Sequence, residues 1–394
     1  MHLISRELAS QIEYYLTRFP IVSVTGPRQC GKTTLLRELL PHYRYVSLEE
    51  PAVRGYALSD PRGFLQTYAA PCIIDEAPRA PQLFSYLQTK VDLAGEMGAY
   101  ILSGSHNFLL MQSVSQSLAG RAAVLTLATL SIAELKGAGL LPEDNEEIML
   151  RGGYPALYDR GISPEEFFPG YLQTYVERDV RLLRNIPDAD LFMRFVRLCA
   201  TRAGQTVNHA ALAQEAAVAV TTVRAWLAVL RQSCLIFTLQ PYLNNYSKRI
   251  VKSPKLYFCD TALLCHLLGI VNVSQLREHP LRGAIFENLV VADYLKSRWF
   301  ASKDDQAYFW RDSNGNEVDL LAAEAGKLYA CEIKSSLTRD QKYLKGVQKF
   351  AALAKLPTES LYCIYGGSLN TNGTMGSFVS LKEAFGPGRS PWQH

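Results

Sequence analysis

Long apolar runs are missing from this chain. No stretch of its 394 residues approaches the ~18 consecutive apolar residues of a membrane span, so no spanning helix and no membrane partner are expected. The opening stretch, MHLISRELASQIEYYLTRF, carries acids and lacks a signal-type apolar core, which makes a cytoplasmic location the expectation. The eight cysteines (Cys30, Cys72, Cys199, Cys234, Cys259, Cys265, Cys331, Cys363) form no C-x-x-C pair and no zinc spacing. They read as small buried hydrophobes in a reducing compartment. An excess of charge of one sign is also missing: a net +4 does not mark a dedicated nucleic-acid binder, so any basic surface must be local. No internal repeat and no low-complexity tract is found.

What is present is ordinary globular material, 48% hydrophobic and 20% charged, enough for several cores. At ~100–200 residues per domain the length predicts two to four domains. Ile4 to Phe19 is amphipathic at helical spacing, Pro20 breaks it, and IVSVTG follows as a β-branched run. Further short runs are YRYVSL, PCIIDE, AYILSGS and AAVLTL, separated by helical patterns such as TTLLRELL and APQLFSYLQTKVDLA. Strands alternating with helices predict an α/β fold with a parallel sheet covered on both faces. After about Leu130 the strand runs stop, and Gly137, Gly139, Pro142 and an acidic cluster mark a boundary. Pro164 to about Ile236 reads as helical. From near Pro280 a long helix, Phe286 to Trp299, precedes strand-like YFWRD, EVDLLAAE and KLYACEIK. The division is therefore 1–140, 141–275 and 276–394, the last a mixed α+β unit.

Gly26 to Thr33 spells GPRQCGKT, a full match to GxxxxGK[ST], between a strand and a helix. Gly26, Pro27, Arg28, Gln29, Cys30, Gly31, Lys32, Thr33 and Thr34 are the expected cofactor contacts, because glycines at this spacing let successive backbone N–H groups turn around a phosphate at a helix start. Lys32 would reach the β/γ-phosphates, and Thr33 would offer its hydroxyl to Mg²⁺. Asp75, at the end of the CII strand, would hold the Mg²⁺ water shell, and Glu76 would polarise the attacking water. ATP and Mg²⁺ are the expected cofactors. Ser103, Ser105 and Asn107 stand at the carboxyl end of another strand, where one of them could read the γ-phosphate or all could cap the next helix. Ser105 is the expected cofactor contact. Arg121 is the candidate cation for the phosphate tail, in cis or, in a homo-oligomer, from a neighbouring subunit.

GPRQCGKTTLL, IIDEAPRAPQLF, ILSGSHN, SLAGR, GGYPALY and YLQTYVERDVR together resemble the prokaryotic AAA-type ATPases that join a P-loop domain to a carboxyl-terminal domain of unknown function. The resemblance runs along nearly the whole chain. It implies an AAA-type ATPase domain, then a winged-helix segment, then a nuclease-like end.

In the middle, NHAALAQEA, a short turn and TTVRAWLAVLRQS read as helix-turn-helix, with LIFTLQPY and KRIVKSPKLYF as a β-wing. From Ala216 to Cys259 there is no acid, whereas Arg224, Arg231, Lys248, Arg249, Lys252 and Lys255 supply positive charge. Phosphate contacts from this stripe make DNA the expected partner, through salt-sensitive binding. Winged helices are also common protein–protein modules.

The final motif gathers Glu287, Asp319, Glu332 and Lys334. Glu332 and Lys334 share one strand face, and a hairpin turning at Gly326 brings Asp319 near them. Three carboxylates in one place call for a hard cation, Mg²⁺ or Mn²⁺, which Glu287, Asp319 and Glu332 would ligate. Lys334 would orient water or stabilise charge on a phosphate. The set resembles the PD-(D/E)xK nuclease signature, with Val318 in place of the usual proline, and implies a restriction-endonuclease-like end domain in which Asp319, Glu332 and Lys334 are catalytic. The leading expectation is an ATPase that couples nucleotide state to DNA binding or processing. The alternative is a nucleotide-gated signalling or scaffold ATPase that recruits a protein partner. A small-molecule kinase is weakened because the helical middle offers no acceptor site.

Overall fold

The computed structural model describes residues 4–104, 117–175, 188–243, 252–386 and Trp392. Its first layer is a parallel sheet of β1 (Ile21–Thr25), β2 (Arg44–Ser47), β3 (Cys72–Asp75), β4 (Tyr100–Gly104) and β5 (Ala122–Thr126), in the order β2-β3-β4-β1-β5. Alternate side chains explain why β1, β3 and β4 are wholly buried. Ile21, Ile74 and Leu102 enter the core on one face, while Val22, Val24, Ile73, Ile101 and Leu125 enter the other. The helices Lys32–Leu39 and Leu83–Ala94 help to cover these faces with Leu35 and Leu36, and with Phe84 and Leu87.

Beyond Leu130 a run of helices follows. Among them are Pro155–Asp159, Ala189–Ala200, His209–Ala216 and Val220–Gln232. Asn208 caps the third of these, its side-chain oxygen accepting from the N–H groups of Ala210 and Ala211. Ala217, at φ 54°, turns the chain toward the fourth.

A second sheet has eight strands in the order β12-β13-β11-β10-β9-β8-β6-β7. Its members are β6 (Ile236–Pro241), β7 (Lys255–Phe258), β8 (Ala307–Arg311), β9 (Glu317–Glu324), β10 (Lys327–Lys334), β11 (Leu361–Tyr365), β12 (Thr371–Gly373) and β13 (Gly376–Ser380). β9 and β10 form the antiparallel hairpin, turning at Ala325 and Gly326, both with positive φ. One strand pairing crosses the division at 275/276. β6 pairs in parallel with β8 through Gln240–Tyr308 and Pro241–Phe309, so the pair β6/β7 extends the carboxyl-terminal sheet. The helix Arg282–Phe300 packs between, and one apolar core runs continuously from Ile132 to Phe385.

Candidate functional site

The loop after β1 carries the geometry that its glycines demand. Gly26 has φ 144°, and a Cβ built there would lie 1.9 Å from the Leu127 carbonyl oxygen. Gly31, at φ 94°, opens the helix Lys32–Leu39, so the first N–H groups of that helix are aimed at the loop. The Lys32 ammonium donates to the carbonyls of Gly26 (2.9 Å) and Pro27 (2.8 Å), folded back into the loop that it would serve. Cys30 turns inward, its thiol toward the Leu127 carbonyl at 3.3 Å, and so offers a ligand only its backbone.

Asp75 is the centre of the polar network at the carboxyl ends of the strands. It is buried and accepts from Thr33 Oγ1 at 2.8 Å, Tyr45 OH at 2.8 Å and the Glu76 N–H at 3.1 Å, and also from the Ser103 hydroxyl. Burial, with the Asp75 charge beside it, pushes the Tyr45 phenol up to about 12, so it stays a donor. Glu76 sits next in the left-handed region, at φ 53°, a costly conformation for a side chain of its size. Ser103, one of the three γ-phosphate candidates, thus holds Asp75 in place; Ser105 and Asn107 lie outside the described residues.

Arg28, Gln29, Gly31, Lys32, Thr33, Thr34, Asp75 and Glu76 line one cavity of about 760 Å³. Its far wall comes from beyond the sheet: Pro155 of the GGYP segment with Ala156, Asp159 and Arg160 after it, and Ile4 to Arg6 close the side. Two arginines here carry no motif spacing of their own. Arg6 buttresses the loop from below, donating to the carbonyls of Cys30 (2.7 Å) and Ala128 (2.7 Å) and pairing with buried Glu134 at 2.9 Å. Arg160 is exposed on the cavity wall. The GGYPALY string was the available signal for that wall.

Arg121 is elsewhere. It precedes β5, whose first residue pairs with Ile21 at the amino end of β1, a strand's length of roughly 15 Å from the phosphate loop. Its guanidinium is held by Asp92 at 2.5 Å. A role in cis is therefore excluded by the parallel register, and only a neighbouring copy could receive it.

In the middle helices Arg224 and Arg231 are exposed, as is Lys252, while Lys248 and Arg249 lie outside the described residues. Lys255 departs from the basic stripe. It is only 3% exposed and points into the carboxyl-terminal acids. Its ammonium lies 2.8 Å from Glu287 Oε1, 2.5 Å from Glu317 Oε1 and 3.9 Å from Asp319 Oδ1. Tyr257 donates to the same Glu287 oxygen at 2.5 Å, and the Ile333 N–H donates to Asp319 Oδ2 at 2.9 Å. Lys334 pairs with Glu332 at 2.6 Å and lies 3.9 Å from Asp319.

The fold thus brings Glu287, Asp319, Glu332 and Lys334 together, but around ammonium groups instead of a cation cradle. Among the described residues no group of three or more His, Cys, Asp or Glu side chains is arranged to hold a metal ion. Lys255, a lysine from a distant strand, stands beside the expected ligands Glu287 and Asp319, and Lys334 stands beside Glu332. Burial and the Asp319 charge push the Glu287 carboxyl up to about 7 and that of Glu332 up to about 8.

Comparison with known proteins agrees with the loop geometry. Residues 18–136 match the model of an AAA domain, so this part of the chain is a P-loop domain of the AAA class. Residues 142–274 and 282–383 match two domains of unknown function, DUF8612 and DUF4143. The chain is 32% identical over 338 residues to the uncharacterized proteins Rv2008c of Mycobacterium tuberculosis and Mb2031c of Mycobacterium bovis, covering 84% of this chain and 74% of each. It belongs to the family of these mycobacterial proteins. Among solved structures, the Walker-type ATPase PABY2304 of Pyrococcus abyssi is similar over 68% of this chain and 96% of its own, with a TM-score of 0.46 and 15% identity. No helix among the described residues is long and apolar enough to cross a membrane.

Proposed function

We propose that this chain binds ATP with Mg²⁺ in the cavity beside Gly26–Thr33, hydrolyses it, and uses the nucleotide state to change how its middle helices hold DNA. One observation carries the first half: the phosphate loop, the Asp75 network and a wall from the second part of the chain converge on one cavity. Thr33 and Asp75 fit a hard cation, because their oxygens already meet at 2.8 Å on the cavity side of the loop. Mg²⁺ there would neutralise charge on the β- and γ-phosphates.

The chain's own groups supply the rest. Lys32 leaves the carbonyls of Gly26 and Pro27 for the phosphate oxygens, and the N–H groups of residues 28–34 cradle the β-phosphate. Glu76 orients the attacking water. Arg160 supplies from the second part of the chain the positive charge that Arg121 cannot supply in cis, which ties nucleotide state to the helices beyond it. Phosphate release should fall at least a hundredfold in Asp75→Asn and at least tenfold in Arg160→Ala. Unchanged turnover in Asp75→Asn would remove the hydrolysis reading.

Arg224, Arg231 and Lys252 support the DNA half, since exposed arginines at the helix-turn-helix can neutralise phosphates without reading bases. In a DNA titration against salt, Arg224→Ala with Arg231→Ala should flatten the log–log slope by about 2. A slope that stays flat in the parent favours the second reading, a nucleotide-gated scaffold for a protein partner. That reading is supported by the carboxylate cluster, whose acids pair with Lys255 and Lys334.

A further inference from the structure

Four carboxylates gather on one side of the second sheet: Glu287 on the helix Arg282–Phe300, Glu317 and Asp319 on β9, and Glu332 on β10. Acids so placed repel one another and must be neutralised by something. The ammonium of Lys255 stands within 2.8 Å of two of them and 3.9 Å of a third, and Lys334 completes the pairing at Glu332. We infer that Lys255 is a resident counter-ion occupying the place of a divalent cation, so that this cluster is a metal-free lock joining β7 to the carboxyl-terminal sheet.

Three features make the lysine a fixture. Its backbone is pinned on both sides, because the Val207 N–H donates to the Pro254 carbonyl at 2.8 Å and the Leu256 N–H to that of Gln205 at 2.9 Å. The ammonium lies over the Phe309 ring, 5.5 Å from its centroid, which adds a cation–π contact to the ion pairs. Several of the oxygens that a metal would need are also engaged. Glu287 Oε1 accepts from both Lys255 and Tyr257, and Asp319 Oδ2 accepts from a backbone N–H. Glu332 Oε2 is buried without a hydrogen-bond partner among the described residues, but it lies against Gly346, and one oxygen does not make a site for an ion that takes six or more ligands. A dication approaching the cluster would meet a fixed positive charge and would have to displace two close ion pairs.

Nothing in this lock depends on ATP hydrolysis, and its test uses the full chain without nucleotide. Mn²⁺ binding is followed by the loss of the free-ion electron paramagnetic resonance signal in the parent, Asp319→Asn, Lys255→Met and Lys255→Met with Asp319→Asn. Weak sites elsewhere are common to all four, so differences report the cluster. Parent and Asp319→Asn should bind Mn²⁺ equally. Lys255→Met should gain one site at least tenfold tighter than that background, and the double variant should lose it. A site present in the parent and missing from Asp319→Asn overturns the inference, as does a folded Lys255→Met that gains none. Should Lys255→Met fail to fold, the comparison of parent with Asp319→Asn decides alone.

Discussion

Gly26 and Lys255 mark the two extremes of how far a residue's role can be read from its neighbours in the chain. At Gly26 the φ of 144° and the Leu127 carbonyl leave room for a hydrogen only, and the motif spacing announces that requirement. Gly26→Ala should therefore cost well over ~1 kcal/mol of stability and abolish nucleotide binding; a thermal melt unchanged within a degree would contradict this. Lys255 announces nothing. It belongs to a basic run that reads as solvent-facing, and only the pairing of β7 with β6, and of β6 with β8, carries it to acids between 32 and 64 positions away. The cis reading of Arg121 meets a related obstacle. A charged side chain near a phosphate-loop domain looks useful until the parallel register shows that it precedes its strand and faces the wrong end.

Among the elements, the helix Arg282–Phe300 joins parts that the sequence keeps apart. Near its start Glu287 meets Lys255, and Asn288 holds β7 by accepting from the Phe258 N–H at 2.7 Å and donating to the Phe258 carbonyl at 2.8 Å. Near its end Asp293 accepts from the Ile132 N–H at 3.0 Å, and Lys296 donates to the Leu130 carbonyl at 2.9 Å. Leu130 also lines the cavity beside the phosphate loop, so this helix touches the AAA domain at that cavity. A long helix from Phe286 to Trp299 was legible, but its nearly all-round burial was not, because polar residues that satisfy buried backbone look like surface residues in a sequence.

Burial is the main force raising the Asp293 carboxyl from 3.8 to about 7, with Lys296 opposing it. The folded state then holds a proton that the unfolded state releases near pH 4, so this group's stabilisation is complete below that pH and is lost as pH rises through 7. Asp293→Asn keeps the acceptor for Ile132 and removes the titration. Its melting temperature relative to the parent should rise steadily between pH 4 and pH 8; a constant difference across that range would show that Asp293 is not protonated in the fold.

At the scale of the whole molecule, alternating strands and helices made the first sheet legible, since each β-branched run is short, buried on both faces and flanked by turn signals. The second sheet was legible only in part. The β9/β10 hairpin follows from local spacing, but the addition of β6 and β7 is a long-range pairing that no local pattern encodes. Composition placed a boundary near residue 275, whereas hydrogen bonds and a continuous core cross it. The chain is best pictured as an AAA domain whose phosphate-loop cavity is walled by the next part of the chain and reached by a helix of the last. Everything proposed about coupling depends on that cavity taking a nucleotide. The most direct test is calorimetric titration of Mg–ATP into the folded chain beside Lys32→Ala. One site per chain is expected in the parent, weakened at least tenfold in the variant; no heat in the parent, or equal affinity in both, would contradict it.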